Sequence, residues 1–278
     1  MVAPSVIVLF IWMIVPLAMT IYYSFRLYRL ISPDRTGWAG FRNYTWFINS
    51  PEFWLAITNT LLLVGGVLII TIVLGTLIAL LIDQPVWGQG PLRILVISPF
   101  FVMPPVAASI WENLFMHPQN GLFSAVSRAF GAQPILFLEQ YPMWSVIGIV
   151  SWEWLPFATL ILLTALQSLS SEELEAAEMD GANVFRRFWY IILPLSMRVI
   201  LLTTLISVIG SMLAFDQFYI MTGGNPRGQT FTSVYWIYQN SFISFKLGYG
   251  AALSILLTLI ILVFSTLQVI LSNRSHKP

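Results

Sequence analysis

The chain has 278 residues, of which 58% are hydrophobic and only 9% charged, and its mean hydropathy is +0.81. So little polar surface cannot cover a water-soluble globule, and the composition therefore predicts a polytopic membrane protein. The absence of cysteine excludes disulfides, iron–sulfur clusters and thiol catalysis, and a net charge of +1 gives no reason to expect a nucleic-acid partner.

The first apolar run, residues 4–25, is long enough to cross a bilayer, because about 20 residues of helix span a hydrocarbon core of about 30 Å. A signal peptide is the alternative, but the run is too long and lacks a basic n-region and a small-residue cleavage site. Whether a polar cytoplasmic leader precedes it stays open. The aromatic and basic segment 26–58 is predicted to be an irregular loop along the membrane interface.

The next spans are predicted at residues 59–82, 92–115 and 144–167, and an extramembrane loop is predicted at 117–142. The third span contains Pro99, Pro104 and Pro105 and must therefore be kinked or broken. Broken helices are tolerated in a membrane where neighbouring helices or a water-lined cavity satisfy the freed carbonyl groups. We therefore expect this span to border a translocation path.

Glu153 lies about 15 Å into the fourth span, near the midplane, where an ionisable group is costly and indicates a functional site. Val150, Trp154 and Phe157 share its helix face at spacings of three and four residues. A sugar would offer hydroxyl groups to such a carboxylate and C–H faces to the aromatic rings. The alternative is that Glu153 bonds a polar group on a partner helix and that the tryptophans merely pack.

Residues 170–194 form the long polar interruption between spans and hold five of the twelve acidic residues. Ser170 and Glu173 predict a helix-capping box, and Gly181 stands where a helix end needs a residue at positive φ. Pro194 suits the first turn of a following helix. The segment therefore predicts a helix, a turn and a second helix.

The same segment contains a sequence motif, defined by its residue types, their spacing and its position between two apolar spans. Its members are Glu175, Ala176, Ala177, Asp180, Gly181, Arg186, Ile191, Leu193 and Pro194. They resemble the EAA loop of membrane subunits of binding-protein-dependent ABC importers. The resemblance implies that this loop faces the cytoplasm and docks on a separate ATPase subunit. The alternative is a connecting loop that happens to be amphipathic.

Residues 198–221 and 250–271 are the predicted fifth and sixth spans, and 229–247 between them is partly amphipathic. The chain would thus consist of a first helix and external loop (1–58), a transmembrane core (59–272) and a cytoplasmic tail (273–278). Six basic residues fall on the side of the EAA loop and seven on the other, so charge does not orient the chain. Orientation rests on the resemblance.

A second signature lies at residues 215–226, Phe-Asp-Gln-Phe-Tyr-Ile-Met-Thr-Gly-Gly-Asn-Pro, with Gly-Tyr-Gly-Ala-Ala at 248–252. It resembles carbohydrate-uptake permeases of the maltose and glycerol-3-phosphate type. The resemblance implies a solute pocket formed by Glu153, Trp154, Phe157, Leu213, Ala214 and Gln217. Asp216 is adjacent to this pocket in the sequence. The alternative is that it lies at the external surface of the membrane that the chain spans. Relatives often carry amide side chains where this chain has Ala214 and Asp216. The sugar that those relatives transport therefore cannot be assumed to be the solute of this chain.

Gly210, Leu213, Ala214 and Gln217 also share one face if the fifth span is a continuous helix. The two histidines lie outside the predicted spans, so a metal centre or catalytic triad is not expected. Neither lysine follows a glycine, so the chain lacks a P-loop. We expect no catalytic activity and no cofactor in this chain.

The sequence as a whole predicts an all-α permease with six spans that imports a sugar, polyol or sugar phosphate by alternating access. The resemblance implies four kinds of partner: a dimer of ATPase subunits that bind ATP and magnesium, a second and different homologous permease chain, an external or periplasmic solute-binding protein, and the lipid bilayer. The location would be a bacterial or archaeal cytoplasmic (inner) membrane. The alternatives are a secondary transporter or channel for a small polar solute, which would need coupling-ion residues, and a membrane enzyme, which would need a clustered catalytic set.

Overall fold

The computed structural model describes residues 3–32, 34, 36–84, 88–169, 179–224 and 228–274. The helices are Ala3–Ser24, Arg42–Ile48, Pro51–Asp83, Gln89–Ile97, Pro104–Ile110, Leu122–Ala129, Phe137–Gln140, Pro142–Gln167, Val184–Arg187, Leu193–Met212, Asp216–Met221, Ser233–Tyr238 and Leu247–Arg274. Ser98–Phe101 is a 3-10 turn, and Trp111–Phe115, Phe188–Ile192 and Gln239–Ile243 are π-helical turns. In these residues the strands form one short antiparallel ribbon, Arg26–Leu27 with Gly37–Trp38.

Five helices in the described part of the chain are long and apolar enough to cross a membrane, and a bent pair makes a sixth. The five are Ala3–Ser24, Pro51–Asp83, Pro142–Gln167, Phe185–Met221 and Leu247–Ile270. They agree with the predicted first, second, fourth, fifth and sixth spans to within a few residues, except at the starts of the second and the fifth.

The third span is the bent pair, Gln89–Phe101 followed by Pro104–Phe115, with an angle of 105° between the halves. Met103 between them has an extended backbone, with φ −64° and ψ 138°. A proline disfavours the helical conformation of the residue before it, which explains why the break falls there. The predicted interruption of this span is confirmed.

The prediction of an irregular loop throughout residues 26–58 is wrong. Arg42–Ile48 is a helix, and the second-span helix already begins at Pro51, so that it has 33 residues. Pro51 is its first residue and Glu52 lies in its first turn. Proline is compatible with the first helical position and an acidic group is favourable there, so residues read as loop signals instead start a helix.

The fifth span is not the continuous helix that was predicted. The helix ends at Met212 and a short one begins at Asp216, leaving Leu213–Phe215 between them. The N–H of Ala214 donates to the carbonyl of Ser211 at 3.2 Å, a tightened bond typical of a helix end. Because no proline or glycine stands at Leu213–Phe215, nothing in the local sequence marks this break.

The chain divides into two compact units, which are described separately. Met1–Leu61 and Arg227–Thr266 form the first, and Leu62–Pro226 and Leu267–Pro278 form the second. The core of the first unit consists of Phe47, Phe53, Ala56, Trp236, Ala252 and Leu253. One core of the second unit consists of Leu63, Val67, Met143, Val146, Ile147, Val150 and Phe218. The predicted division at residues 58 and 272 stays a prediction.

Small residues bring the second-span and fourth-span helices close together within the second unit. A Cβ atom at Gly66 would lie 2.9 Å from Ile147, and one at Gly75 would lie 3.3 Å from the Cβ of Ala158. Transmembrane helices associate through such close packing, because lipid supplies no hydrophobic driving force between them. This contact fixes the fourth-span helix, which carries Glu153.

Candidate functional site

A cavity of about 240 Å³ lies in the second unit among the third, fourth and fifth spans. It is lined by Pro99, Phe100, Val102, Pro104, Glu153, Trp154, Gly210, Leu213, Ala214, Phe215, Asp216 and Gln217. The third and fifth spans both contribute residues at the points where their helices are interrupted. Irregular backbone at membrane depth is tolerated where it lines a cavity, which is the arrangement seen here.

Glu153 and Gln217 join the fourth and fifth spans at the wall of this cavity. Both side chains are buried, and the Nε2 of Gln217 donates a hydrogen bond to the Oε2 of Glu153. The other carboxyl oxygen, Oε1 of Glu153, and the Oε1 of Gln217 have no hydrogen-bond partner among the described residues. The pair is therefore a link between the two helices, and each of its side chains keeps one buried acceptor oxygen without a partner among the described residues.

This arrangement shows the bond to a partner helix that was one of the two alternatives for Glu153, and contact with a sugar hydroxyl, the other alternative, stays a prediction. One carboxyl oxygen makes the bond to a partner helix, and the second is left unsatisfied although it is buried. A buried oxygen without a partner is uncommon in folded proteins, which makes the Oε1 of Glu153 a candidate contact for water or a solute.

Trp154 forms the aromatic side of the cavity, and Gly210 makes room for it. A Cβ atom at residue 210 would lie only 2.0 Å from the Cζ2 of Trp154, so the indole ring rests directly on the backbone of the fifth span. Phe157 packs edge-on against Trp154, with ring centroids 5.7 Å apart, and stacks on Phe100 at 6.0 Å.

Six of the seven residues predicted for the solute path line the cavity: Glu153, Trp154, Leu213, Ala214, Asp216 and Gln217. Phe157 does not line it but supports Trp154 and Phe100 from behind. Asp216 is half-buried at the cavity. Gly210, Leu213, Ala214 and Gln217 meet there through the helix break, not on one continuous helix face as predicted.

Sequence reasoning missed Phe100, Val102 and Phe215 as cavity residues. The prolines of the third span were a signal for the first two, since a broken helix was expected to border the path. Phe215 is the first residue of the second signature, 215–226, but it was not assigned to the pocket because the interruption of the fifth span that contains it was not predicted.

Part of the predicted coupling segment lies outside the described residues, namely Ser170, Glu173, Glu175, Ala176 and Ala177. Asp180 and Arg186 are exposed, Ile191 and Leu193 are half-buried, and Pro194 is exposed. The φ angle of Gly181 is +76°, which confirms the predicted turn conformation.

The second helix of this segment begins earlier than predicted. The Oδ1 of Asn183 accepts a hydrogen bond of 2.9 Å from the N–H of Arg186, so Asn183 caps a helix that starts at Val184. The sequence reasoning missed this cap, although asparagine is a preferred residue there.

Pro194 is the second residue of the helix Leu193–Met212, so it stands in the first turn of that helix as the sequence predicts. The π-helical turn Phe188–Ile192 precedes Leu193–Met212, and the N–H of Leu193 bonds to the carbonyl of Phe188. This wider turn relieves the clash that a proline ring makes with the carbonyl four residues earlier in a regular helix. Pro194 is accommodated within a continuous helical run.

No group of three or more His, Cys, Asp or Glu side chains suited to a metal ion occurs within the ranges that the structure describes. Apolar spans, a cavity at two broken helices and a polar segment between the fourth and fifth spans together define a membrane transport protein. The profile of the family described as "Binding-protein-dependent transport system inner membrane component" matches residues 41–277. The match covers well over half of the chain, and the chain belongs to this family.

Curated relatives and a solved structure agree with this assignment. The chain is 31% identical over 268 residues to the "Trehalose/maltose transport system permease protein MalF" of Thermococcus litoralis, covering 95% of this chain and 90% of the relative. It is 30% identical over 278 residues to the "sn-glycerol-3-phosphate transport system permease protein UgpA" of Agrobacterium fabrum, covering 96% and 92%.

The solved structure is that of a "bacterial alginate ABC transporter in complex with alginate pentasaccharide-bound periplasmic protein". One of its chains matches 100% of this chain with a TM-score of 0.83 and 22% identity, and 94% of that chain is covered. At this identity the likeness supports the fold, and it agrees with the predicted all-helical membrane architecture. The resemblance to ABC importer permeases is confirmed, and the chain is a transport subunit of the multi-pass membrane class.

Proposed function

We propose that this chain forms part of the translocation path for a neutral, polyhydroxylated solute such as a sugar or short oligosaccharide. The observation that carries the proposal is the cavity of the second unit, which is lined by the carboxyl group of Glu153, the amide of Gln217 and the indole ring of Trp154. Sugar hydroxyl groups donate to such oxygens, and sugar C–H faces pack on aromatic rings. The relative named for trehalose and maltose transport supports a neutral, polyhydroxylated solute.

The charges of the cavity lining argue for a neutral solute over a phosphorylated one. Two carboxyl groups, Glu153 and Asp216, line it, and no described lining residue is Arg, Lys or His. Phosphate oxygens would face acceptor oxygens with no cation to neutralise them, although phosphate sites in proteins normally use cationic or N–H donors. Hydroxyl groups meet no such conflict.

The size of the cavity supports a second permease chain as partner. Sites for small molecules usually measure about 300–1,000 Å³, and the cavity here is about 240 Å³. One sugar ring or a short polyol would fill this part, and the facing wall would come from another chain. We expect that chain to be a different homologue, and we expect an external solute-binding protein to deliver the solute.

The segment around Gly181 is proposed as the docking site for one subunit of an ATPase dimer, which would hold ATP and magnesium. Met179, Phe185 and Tyr190 are exposed by 89%, 76% and 79%. These apolar side chains flank the exposed Asp180 in the segment that precedes the helix Leu193–Met212. A soluble partner would cover this surface on the cytoplasmic side of a bacterial or archaeal inner membrane.

The test is solute-stimulated ATP hydrolysis by the complete complex, reconstituted with its solute-binding protein. Neutral disaccharides, polyols and glycerol phosphate are compared at matched concentrations. Neutral sugars are expected to stimulate hydrolysis and to accumulate in vesicles, whereas glycerol phosphate leaves the basal rate unchanged. Equal stimulation by glycerol phosphate would contradict the proposed selectivity, and failure to copurify with any ATPase would contradict the transport assignment.

A further inference from the structure

A second cavity of about 240 Å³ lies in the first unit, remote in sequence from the solute path, and we name it the arginine cavity. It is lined by Arg26, Leu27, Tyr28, Arg29, Ser32, Arg42, Asn43, Gly248 and Tyr249. We propose that it binds the phosphate of an anionic phospholipid head group.

Asn43 fixes the shape of the arginine cavity. Its side chain is fully buried, and its Nδ2 donates to the carbonyls of Ser24 at 2.7 Å and Arg26 at 3.0 Å, with Gly248 at 3.5 Å. One amide group thus joins the end of the first-span helix to the start of the sixth-span helix. The walls are held by buried hydrogen bonds, not by exposed side chains alone.

Gly248 allows the two walls to approach each other. A Cβ atom there would lie 2.1 Å from the carbonyl oxygen of Arg26, and the N–H of Gly248 donates to the carbonyl of Tyr28 at 3.2 Å. The first turn of the sixth-span helix therefore lies directly against the segment that carries Arg26 and Arg29. The positive end of that helix dipole adds to the charge of the arginines.

The lining of the arginine cavity is positively charged. Three guanidinium groups, those of Arg26, Arg29 and Arg42, line it, and no Asp or Glu is among its described lining residues. Arg26 lies over the ring of Tyr22 at 5.5 Å, which leaves its N–H donors available. Guanidinium groups bind phosphate through paired N–H donors and hold their charge at all relevant pH values, so an anion with several oxygens is the matching ligand.

The position of the arginine cavity favours a lipid as the source of the phosphate. Arg26 follows directly on the apolar helix Ala3–Ser24, and Tyr249 lies in the first turn of Leu247–Arg274. The cavity is therefore at the depth where a bilayer's head groups begin. Trp46 packs on Tyr249 with ring centroids 4.6 Å apart, and such aromatic residues are typical of this interface.

The test measures phosphatidylglycerol binding to the full chain, purified in detergent with the subunits that it retains and stripped of lipid. The probes are phosphatidylglycerol, phosphatidylcholine and inorganic phosphate, each titrated while retained lipid is counted by native mass spectrometry and thermal stability is recorded. The variant combines Arg29→Ala with Arg42→Ala. The matched control combines Arg128→Ala with Arg93→Ala, which removes the same charge from residues that do not line the cavity.

The wild type is expected to bind phosphatidylglycerol at least tenfold more tightly than the double arginine variant, and the control is expected to stay within about twofold of the wild type. Replacement of both arginines by lysine should restore part of the affinity, which separates loss of the site from loss of fold. Three results would overturn the proposal: equal binding by variant and wild type, an equal loss in the control, or protection of the wild type by inorganic phosphate as strong as that by lipid. A variant that keeps its lipid but no longer binds a soluble partner protein would also overturn it.

Discussion

At the scale of single residues, the solute cavity depends on a bond between side chains that are far apart in the sequence. Glu153 uses one carboxyl oxygen to accept from Gln217 and keeps the other free. Gly210 has no side chain and lets Trp154 lie flat against the fifth span. The first feature supplies hydrogen-bond acceptors and the second supplies the aromatic wall, so each is tested by a substitution that leaves the other in place.

Glu153→Gln keeps the shape of the side chain and an oxygen that can accept from Gln217. It loses the stronger bonds of a carboxylate, worth about 1.5–3 kcal/mol against about 1 kcal/mol for a neutral bond. A loss of about 1.4 kcal/mol raises the half-saturating solute concentration about tenfold. Transport against solute concentration, measured beside a melting curve, checks this. Glu112→Gln, outside the cavity lining, is the control, and a lower melting temperature with an unchanged transport curve would show a structural role alone.

Gly210→Ala should displace Trp154, because the new methyl group would overlap the indole ring. Overpacking of this kind costs about 1–3 kcal/mol, and a displaced ring narrows the cavity. We expect weaker solute-dependent transport and a lower melting temperature. Gly148→Ala is the matched control, since a Cβ atom there meets nothing within 4 Å. Wild-type transport in the Gly210 variant would show that the ring position is irrelevant to the solute.

At the scale of elements, the interrupted helices and the turn at Gly181 carry the functional argument. The third span breaks where prolines stand, and the fifth breaks at Leu213–Phe215 without one. The turn at Gly181 has a φ of +76° and open space around its Cα, so a side chain there would strain the backbone without clashing. Strain and clash can therefore be separated at this position.

Gly181→Val is expected to release the ATPase while the chain remains inserted, because a β-branched residue at this φ costs on the order of 1–3 kcal/mol and favours another backbone path. Copurification of the ATPase and coupled transport are the measurements. Gly131→Val is the control, since Gly131 has a φ of +71° and equally open space but lies outside the coupling segment. Equal loss of the ATPase in both variants would assign the effect to general instability.

The spans and the break of the third were accessible from sequence because they follow from local chemistry: apolar length and the missing N–H of proline. The start of the second span was predicted too late, because a proline such as Pro51 is common both in loops and at the first position of a helix. The break of the fifth span and the bond between Glu153 and Gln217, 64 residues apart, depend on tertiary packing. Neither feature can therefore be predicted from a short stretch of sequence.

At the scale of the whole molecule, transport requires the cavity to be reachable from one side and then from the other. Broken helices beside the cavity supply the segments that such a change would move. The chain contains no cysteine, so single thiols can report on access without background.

A cysteine at Val102, which lines the cavity, should react with a polar thiol reagent at rates that differ with and without ATP. A cysteine at Leu95 on the same span is the control, because that side chain is 69% exposed and outside the cavity lining. Labelling kinetics in the reconstituted complex check this. Rates at Val102 that never depend on nucleotide would indicate a static cavity.

The bond from Asn43 to Gly248 also has a consequence for biogenesis, since 205 residues separate the two. At synthesis rates of about 5–20 residues per second, roughly 10–40 s pass between the emergence of the two residues from the ribosome. The buried amide of Asn43 must wait that long for its last partner, and the segment from Arg26 to Tyr28 waits with it. The first span therefore enters the membrane well before its end near Ser24 acquires its final structure. A nascent chain halted before the sixth span should leave this end open to protease.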